Sequence, residues 1–383
     1  MSPERHWDDS TASIIPYCYI KKVNLNTSKN ATLVYPALVV PLIWDGLSSG
    51  VVPGDWPAID KPPPISPEFA SLVDFTKVAN APVRKLNDKC QDDDPFCYWS
   101  CTNCVRNETD IITCPNVDDW GLTLDDGPSE YTTDILDFLD AKNIKVTFFV
   151  VGSRVYERPD ILLRAFNAGH QIAVHTWSHP SLTTQTNEQI VAELEWTAKV
   201  IKAVIGVRPK HMRPPFGNYD DRVRDISKQL GYKVVIWDRD TNDWMSDEDE
   251  SFQLPWIEAN FSQWVKEPKA GHISLEHDLY KGAALQVQNV IPIVMNGGYS
   301  IKQVGTCLGD NNFYQGNITN TTIPVQPSAS VTPVSLNQPY PSIKSLPSTP
   351  PSSSPSDTST SAVKNSSAIK STNLNHFIWA III

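Results

Sequence analysis

The sequence has no uninterrupted apolar run approaching the ~20 residues needed to span a bilayer, so any membrane association is confined to its extreme C-terminus. It has no excess of basic charge: 32 Lys and Arg stand against 43 Asp and Glu, a net charge of −11. That balance excludes an electrostatic surface for nucleic-acid phosphates but leaves a neutral polymer open as a substrate. Glycine is sparse, with 17 in 383 residues, whereas the 31 prolines are abundant and unevenly placed. No internal repeat is visible. The opening residues MSPERHWDDS lack the apolar h-region of a secretory leader, so a leader is expected upstream or missing. At this length, with 40% hydrophobic residues, one large core plus substantial extra sequence is expected, not a small module or a wholly disordered chain.

Cysteine is present but concentrated. Five of the seven, Cys90, Cys97, Cys101, Cys104 and Cys114, fall close together, with Cys18 and Cys307 far away. Cys101-Thr-Asn-Cys104 has the spacing of a zinc knuckle or a redox motif. A knuckle wants a second CxxC or a His pair nearby, and none follows at the usual spacing. Seven N-x-S/T sequons, at Asn26, Asn30, Asn107, Asn260, Asn317, Asn320 and Asn365, accompany the cysteines and favour disulfides formed on a secretory route. The odd count leaves one thiol free or intermolecular, and spacing does not assign the pairs.

The chain divides by texture. Residues 1–115 are irregular, rich in Pro and Cys. From 116 to 307 short apolar runs alternate with helical patterns. Strands are expected at Gly121–Asp125, Val146–Val151, Gln171–His175, His211–Phe216, Lys233–Asp238, His272–His277 and Tyr299–Val304. Helices are expected at Thr132–Lys142, Pro159–Ala168 and Glu188–Ile205, the last with Ile190, Leu194, Ala198 and Ile201 at helical spacing and Gly206 as its C-cap. Seven such units imply an α/β fold on a parallel sheet, doubly wound or closed into a barrel. Residues 308–375 become rich in Ser, Thr and Pro, cannot bury enough apolar area to offset ordering entropy, and read as a disordered stalk. The tail 376–383 is apolar. With the small residues Asn365, Ser366, Ser367 and Ala368 before it, it resembles a glycolipid-anchor signal, although it is shorter than the ~10–20 residues such a signal needs. A true anchor and a degenerate remnant are both open.

Five polar groups stand at or just after the ends of different expected strands. They are Thr123-Leu124-Asp125-Asp126-Gly127-Pro128, His175-Thr176-Trp177-Ser178-His179, Arg213-Pro214-Pro215-Phe216, Asp240-Thr241-Asn242-Asp243-Trp244 and Leu275-Glu276-His277. An Asp-Asp pair alone is usually a solvated turn, and two histidines at i and i+4 are as often structural as ligating. Their common position changes the balance, because strand C-termini are where parallel α/β folds build active sites. One Asp and two His supply three ligands to a divalent metal and leave a fourth position for water, as in catalytic zinc sites. The remaining Asp, Arg and His could serve as base, orienter and acid. His6, His170, His211, His272 and His376 show no such pattern and read as structural.

The set TLDDGPS, HTWSHP, RPPFG, DTNDW and LEHD resembles the five motifs of the polysaccharide deacetylase family, carbohydrate esterase family 4. The flanking Asp94-Pro95-Phe96-Cys97-Tyr98-Trp99, Cys114-Pro115 and Trp120-Gly121-Leu122-Thr123 are similar to those of its fungal chitin deacetylases. The resemblance covers about residues 90–307. It implies a distorted (β/α)7-type barrel that hydrolyses N-acetyl groups from chitin, giving chitosan and acetate, in a secreted or cell-wall monomer. It also implies metal ligation by Asp126, His175 and His179, with zinc expected first and cobalt second. Asp125 would be the general base, held by Arg213; His277 the acid, tuned by Asp240; Phe216 would donate its backbone N–H to the oxyanion; and Trp244 and Leu275 would line the acetyl pocket. Phe216 stands where the family usually has Tyr, and Leu124 where it usually has an aromatic; neither change removes a reactive group. Two other readings are a deacetylase of peptidoglycan or xylan, and a non-catalytic wall-binding protein on the same fold.

Overall fold

The computed structural model describes residues 52–315 apart from 87, 91, 92 and 311. Cys18, residues 316–375 and the apolar tail lie outside the described residues, whereas the first residues of the expected stalk are described and end in a short strand at Tyr314–Gln315. The strands are β1 (Asp110–Ile111), β2 (Asp119–Asp125), β3 (Thr147–Val150), β4 (Gln171–Val174), β5 (Arg208–Pro209), β6 (His211–Met212), β7 (Lys233–Val235), β8 (Arg239–Asp240), β9 (His272–His277), β10 (Ser300–Lys302) and β11 (Tyr314–Gln315). Nine of them form one sheet in the order β1-β7-β6-β4-β3-β2-β9-β8, with β10 beside the start of β2. Every pairing in it is parallel. β5 and β11 make a separate antiparallel pair. The sheet curls into an open, distorted barrel, with β1 and β8 as its edges.

β2 lies at the middle, and all seven of its residues are buried. Successive side chains of a strand point to opposite faces. Trp120, Leu122 and Leu124, all with no exposed surface, join the hydrophobic core, where the Trp120 ring meets Phe261, Trp264 and Tyr299. Thr123 and Asp125 point the other way, to the inside of the curl, where both accept hydrogen bonds from Arg213. The alternation of a half-polar strand thus separates packing from chemistry.

The helices follow from their local sequence. Asn187–Ile205 begins at a capping box in which Thr186 and Gln189 satisfy each other's backbone N–H groups, and ends at Gly206 with φ 78°. Thr132–Lys142 buries Ile135, Leu136 and Leu139 and stops at a left-handed Asn143. Both match the sequence expectation to within a residue. The expected strand His211–Phe216 is shorter, ending at Met212. Pro214 and Pro215 cannot donate ladder hydrogen bonds, and residues 215–217 form a tight helical turn instead. Four short strands were not expected: β1, which comes from the irregular N-terminal segment, β5, β8 and β11.

Six cysteines form three disulfides: Cys90–Cys101, Cys97–Cys104 and Cys114–Cys307. The last closes a separation of 193 residues, which in the chain-entropy account contributes on the order of 5 kcal/mol. Gly271 lies against this region, where a Cβ would come within 2.1 Å of the Cys114 carbonyl oxygen. Among the described residues no helix is long and apolar enough to cross a membrane.

Candidate active site

The strand registers bring the polar groups together. Asp125 is paired with Phe149 on one side and His277 on the other. Val174 is paired with Met212, which sets His175 and Arg213 side by side, the Arg213 N–H donating to the Val174 carbonyl at 2.9 Å.

Asp125 ends β2 in extended conformation with its carboxylate buried. Arg213 Nη1 donates to Asp125 Oδ1 at 2.8 Å and to Thr123 Oγ1 at 2.6 Å. The other guanidinium nitrogens donate to the Val235 and Ile236 carbonyls, and the group lies 4.1 Å from the Phe149 ring centroid. Burial pulls the Arg213 guanidinium below its ordinary value, and the Asp125 carboxylate opposes that. The result is a carboxylate fixed in one orientation with its second oxygen, Oδ2, 3.6 Å from His175 Nε2.

Asp126, one residue on, has φ 78°, so its side chain leaves the strand alternation and faces the two histidines. Its carbonyl is held by Arg154 Nη1 at 2.8 Å, and its N–H donates to the Phe149 carbonyl. Oδ1 lies 3.3 Å from His175 Nε2 and 3.2 Å from His179 Nε2, yet it is buried with no hydrogen-bond partner. One ligand atom each from Asp126, His175 and His179 lie within 4.8 Å of one another. His175 Nδ1 faces the Arg213 carbonyl at 2.8 Å. A carbonyl only accepts, so Nδ1 carries the hydrogen and Nε2 presents a lone pair to the cluster. Burial would raise the Asp126 carboxyl, but protonated His179, and then His175, would hold it well below the usual carboxylate range in the absence of a cation. An orphaned carboxylate oxygen facing two imidazole nitrogens is a donor set that fits a divalent metal, zinc among them.

The i, i+4 histidines flank a tight turn, not a helix face. Thr176 and His179 have φ of 65° and 57°, and Thr176 Oγ1 accepts from the His179 N–H at 3.1 Å. The turn is anchored from below by Glu193, whose carboxylate accepts from the Trp177 and Ser178 N–H groups and from Ser178 Oγ.

Opposite the cluster, His277 ends β9. Asp243 Oδ1 accepts from His277 Nδ1 at 2.6 Å, and Asp243 Oδ2 accepts from its backbone N–H at 2.8 Å. Burial would lower the imidazole, but the Asp243 carboxylate, with Asp126 and Asp125 further off, pushes it up to about 10. The hydrogen-bond partner of His277 is thus an aspartate to which the sequence assigned no role. Asp240 does not hydrogen-bond His277; its carboxylate accepts from Trp237 Nε1 and the Asn242 N–H. Both aspartates belong to DTNDW, but a turn with left-handed Asn242 aims the second, not the first, at the histidine.

Phe216 is 58% exposed, with its ring 4.7 Å from that of His179. Trp244 is 39% exposed, and Leu275 is buried on the face shared by Thr123 and Asp125. Sequence reasoning also missed Asp278, whose carboxylate accepts from Thr132 Oγ1 at 2.5 Å and is pushed up to about 7 by burial. It packs so closely on Gly127 that a Cβ there would lie 2.2 Å from Oδ2. The signal was available, since Asp278 completes LEHD. His170, His211 and His272 are buried away from the cluster, each with Nδ1 engaged by Val146, Gln171 or Asp238.

Comparison with known proteins places this geometry. Residues 113–235 match the family model for polysaccharide deacetylase. The chain is 42% identical over 286 residues to chitin deacetylase 1 of Cryptococcus neoformans, an alignment covering 68% of this chain and 60% of that protein. It therefore spans less than two thirds of that relative's length. It is 34% identical over 262 residues to chitin deacetylase 1 of Saccharomyces cerevisiae, covering 68% of this chain and 81% of that one. Among solved structures, the chitin deacetylase of Colletotrichum lindemuthianum superposes with a TM-score of 0.51 at 28% identity, covering 54% of this chain and 95% of that one.

Proposed function

The chain belongs to the polysaccharide deacetylase family, and from that premise we propose that it hydrolyses the N-acetyl groups of N-acetylglucosamine residues in chitin, yielding chitosan and acetate, with a divalent metal, zinc first, held by Asp126, His175 and His179. The observation that carries this reading is the arrangement across one cleft: an orphaned Asp126 oxygen between two imidazoles on one side, and an Asp243-held imidazole on the other.

When bound, the metal would supply Lewis-acid polarisation of the acetamide carbonyl and acidify water at the site. Asp125 then accepts the proton of the attacking water. Its hydrogen bond to Arg213 leaves Oδ2 as the accepting atom and prevents the carboxylate from rotating away. As the carbonyl carbon becomes tetrahedral, the Phe216 N–H donates to the developing oxyanion. His277 gives a proton to the departing amine, and the Asp243 carboxylate keeps it charged until then. The products are acetic acid, which ionises to acetate, and a free amine; Asp125 sheds its proton and His277 takes one up, which restores both groups. Trp244 and Leu275 border the space for the acetyl methyl group.

The disulfides, the sequons and the fungal relatives support a secreted or cell-wall setting. Acetate release from soluble chitin oligomers, measured with and without a chelator, tests the proposal. Chelator-sensitive release is expected. No release, with binding to chitin retained, would instead indicate a wall-binding protein on this fold.

A further inference from the structure

The segment Asp94-Pro-Phe-Cys-Tyr-Trp-Ser-Cys-Thr-Asn-Cys104 has no part in the chemistry above, yet its residues Tyr98, Trp99 and Ser100 touch the loop that carries Phe216. Its two disulfides interlace in sequence, Cys90–Cys101 across Cys97–Cys104, and enclose the short helix Trp99–Thr102. From that helix the Trp99 ring packs against Gly217, where an added Cβ would fall 2.2 Å from Trp99 Cζ3. The Trp99 N–H donates to the Tyr219 carbonyl at 3.2 Å. Tyr98 and Ser100 both donate their hydroxyls to Asn218 Oδ1. Arg224 closes the back, donating to the Cys97 and Cys104 carbonyls.

The loop needs that support. Phe216 and Gly217 are consecutive left-handed residues, with φ of 60° and 63°. A phenylalanine adopts that conformation only where its surroundings fix it, and the Phe216 ring, mostly exposed, does little of the fixing itself. Gly217 allows the close approach of the tryptophan, and Asn218 is held by two hydroxyls. The loop is thereby held on its disulfide side by Trp99, whose ring in turn packs edge-on against Trp237, just beyond β7, at 5.0 Å.

We propose that Trp99 is a positioning residue for the deacetylation step, which sets the Phe216 peptide at the cleft by packing on Gly217, and that the Cys90–Cys101 and Cys97–Cys104 disulfides hold it there. This rests on the function proposed above. It makes the cysteine-bearing segment part of the working site, linked to His179 only through the Phe216 ring, so bound zinc is measured beside the rate.

The test uses the full chain with zinc bound. Trp99→Ala should lower kcat by about 10–100-fold, the scale of a small misplacement of a transition-state donor. KM for soluble chitin oligomers should stay within about twofold, and bound zinc should be unchanged. Trp99→Phe, which keeps a ring over Gly217, should recover most of the rate. Should Trp99→Ala fail to fold, Asn218→Ala removes both hydroxyl contacts at the surface and should show the same split in milder form. Unchanged kcat in a folded Trp99→Ala or Asn218→Ala protein overturns the proposal, as does loss of zinc in step with activity. A wild-type chain that releases no acetate overturns the functional reading itself and this inference with it, and is told apart because the failure precedes any substitution.

Discussion

The two sides of the cleft are built by different means. On the β2–β4 side, Asp126, Thr176 and His179 all adopt left-handed backbone conformations, and the turns that carry Asp126 and the two histidines are held through backbone groups by Arg154 and Glu193. On the β8–β9 side, His277 is an ordinary strand residue, and the carboxylate that holds it by hydrogen bonds is Asp243. The first side fixes where atoms sit; the second fixes where a proton sits. Damage to the first should therefore appear in metal content, and damage to the second in the pH dependence of a metal-loaded protein.

Metal removal should have the largest effect on activity. Dialysis against a chelator should reduce acetate release to background, and added zinc or cobalt should restore it; activity that survives removal of all bound metal would break the comparison at once. Next is Arg213→Met, which leaves Asp125 buried without its partner. Stranding a buried charge costs about 3–5 kcal/mol, so denaturant unfolding should show a loss of that order, and acetate release should fall even where the protein stays folded.

The proton side is sharpened by comparing Asp243→Asn with Asp240→Asn. His277 is raised to about 10 by carboxylates, so its acid form is present below that value and lost above it. A cation beside Asp126 offsets part of this and moves the limb downward. Removing the Asp243 charge should shift the alkaline limb to still lower pH and lower kcat by less than the ~10²–10⁴-fold expected for losing the acid outright. Asp240→Asn should leave the limb nearly in place. Equal shifts from the two substitutions would show that distance, and not the hydrogen bond, sets the imidazole. The smallest effect belongs to the Ser/Thr/Pro-rich stretch: a chain ended at Asn320 should retain its rate on soluble oligomers, as checked by the same acetate assay.

Much of this site can be read from the sequence, because parallel α/β topology places strand ends together and each motif follows an apolar run. Asp125, Asp126, His175, His179, Arg213 and His277 are found that way. The turns after the strands are harder. Asp240 and Asp243 are equally plausible partners for His277 until the left-handed Asn242 decides between them. Glu193, lying mid-helix among apolar residues, gives no local sign that it holds the histidine turn. β1 is two residues long and owes its place to the buried Asp110, which Arg224 and Tyr219 grip from more than a hundred residues away; periodicity carries no signal of that length. The role of Trp99 is likewise a long-range contact, recognisable only once Gly217 is seen beneath it.

The most direct test is the split between the adjacent carboxylates, with bound zinc measured by mass spectrometry beside acetate release. Asp126→Ala should lose zinc and activity together and regain some activity in excess zinc. Asp125→Asn should keep its zinc while turnover falls by about 10²–10⁴-fold, and His277→Ala should resemble it. Zinc lost from Asp125→Asn and retained in Asp126→Ala would contradict the assignment of ligand and base to these two residues.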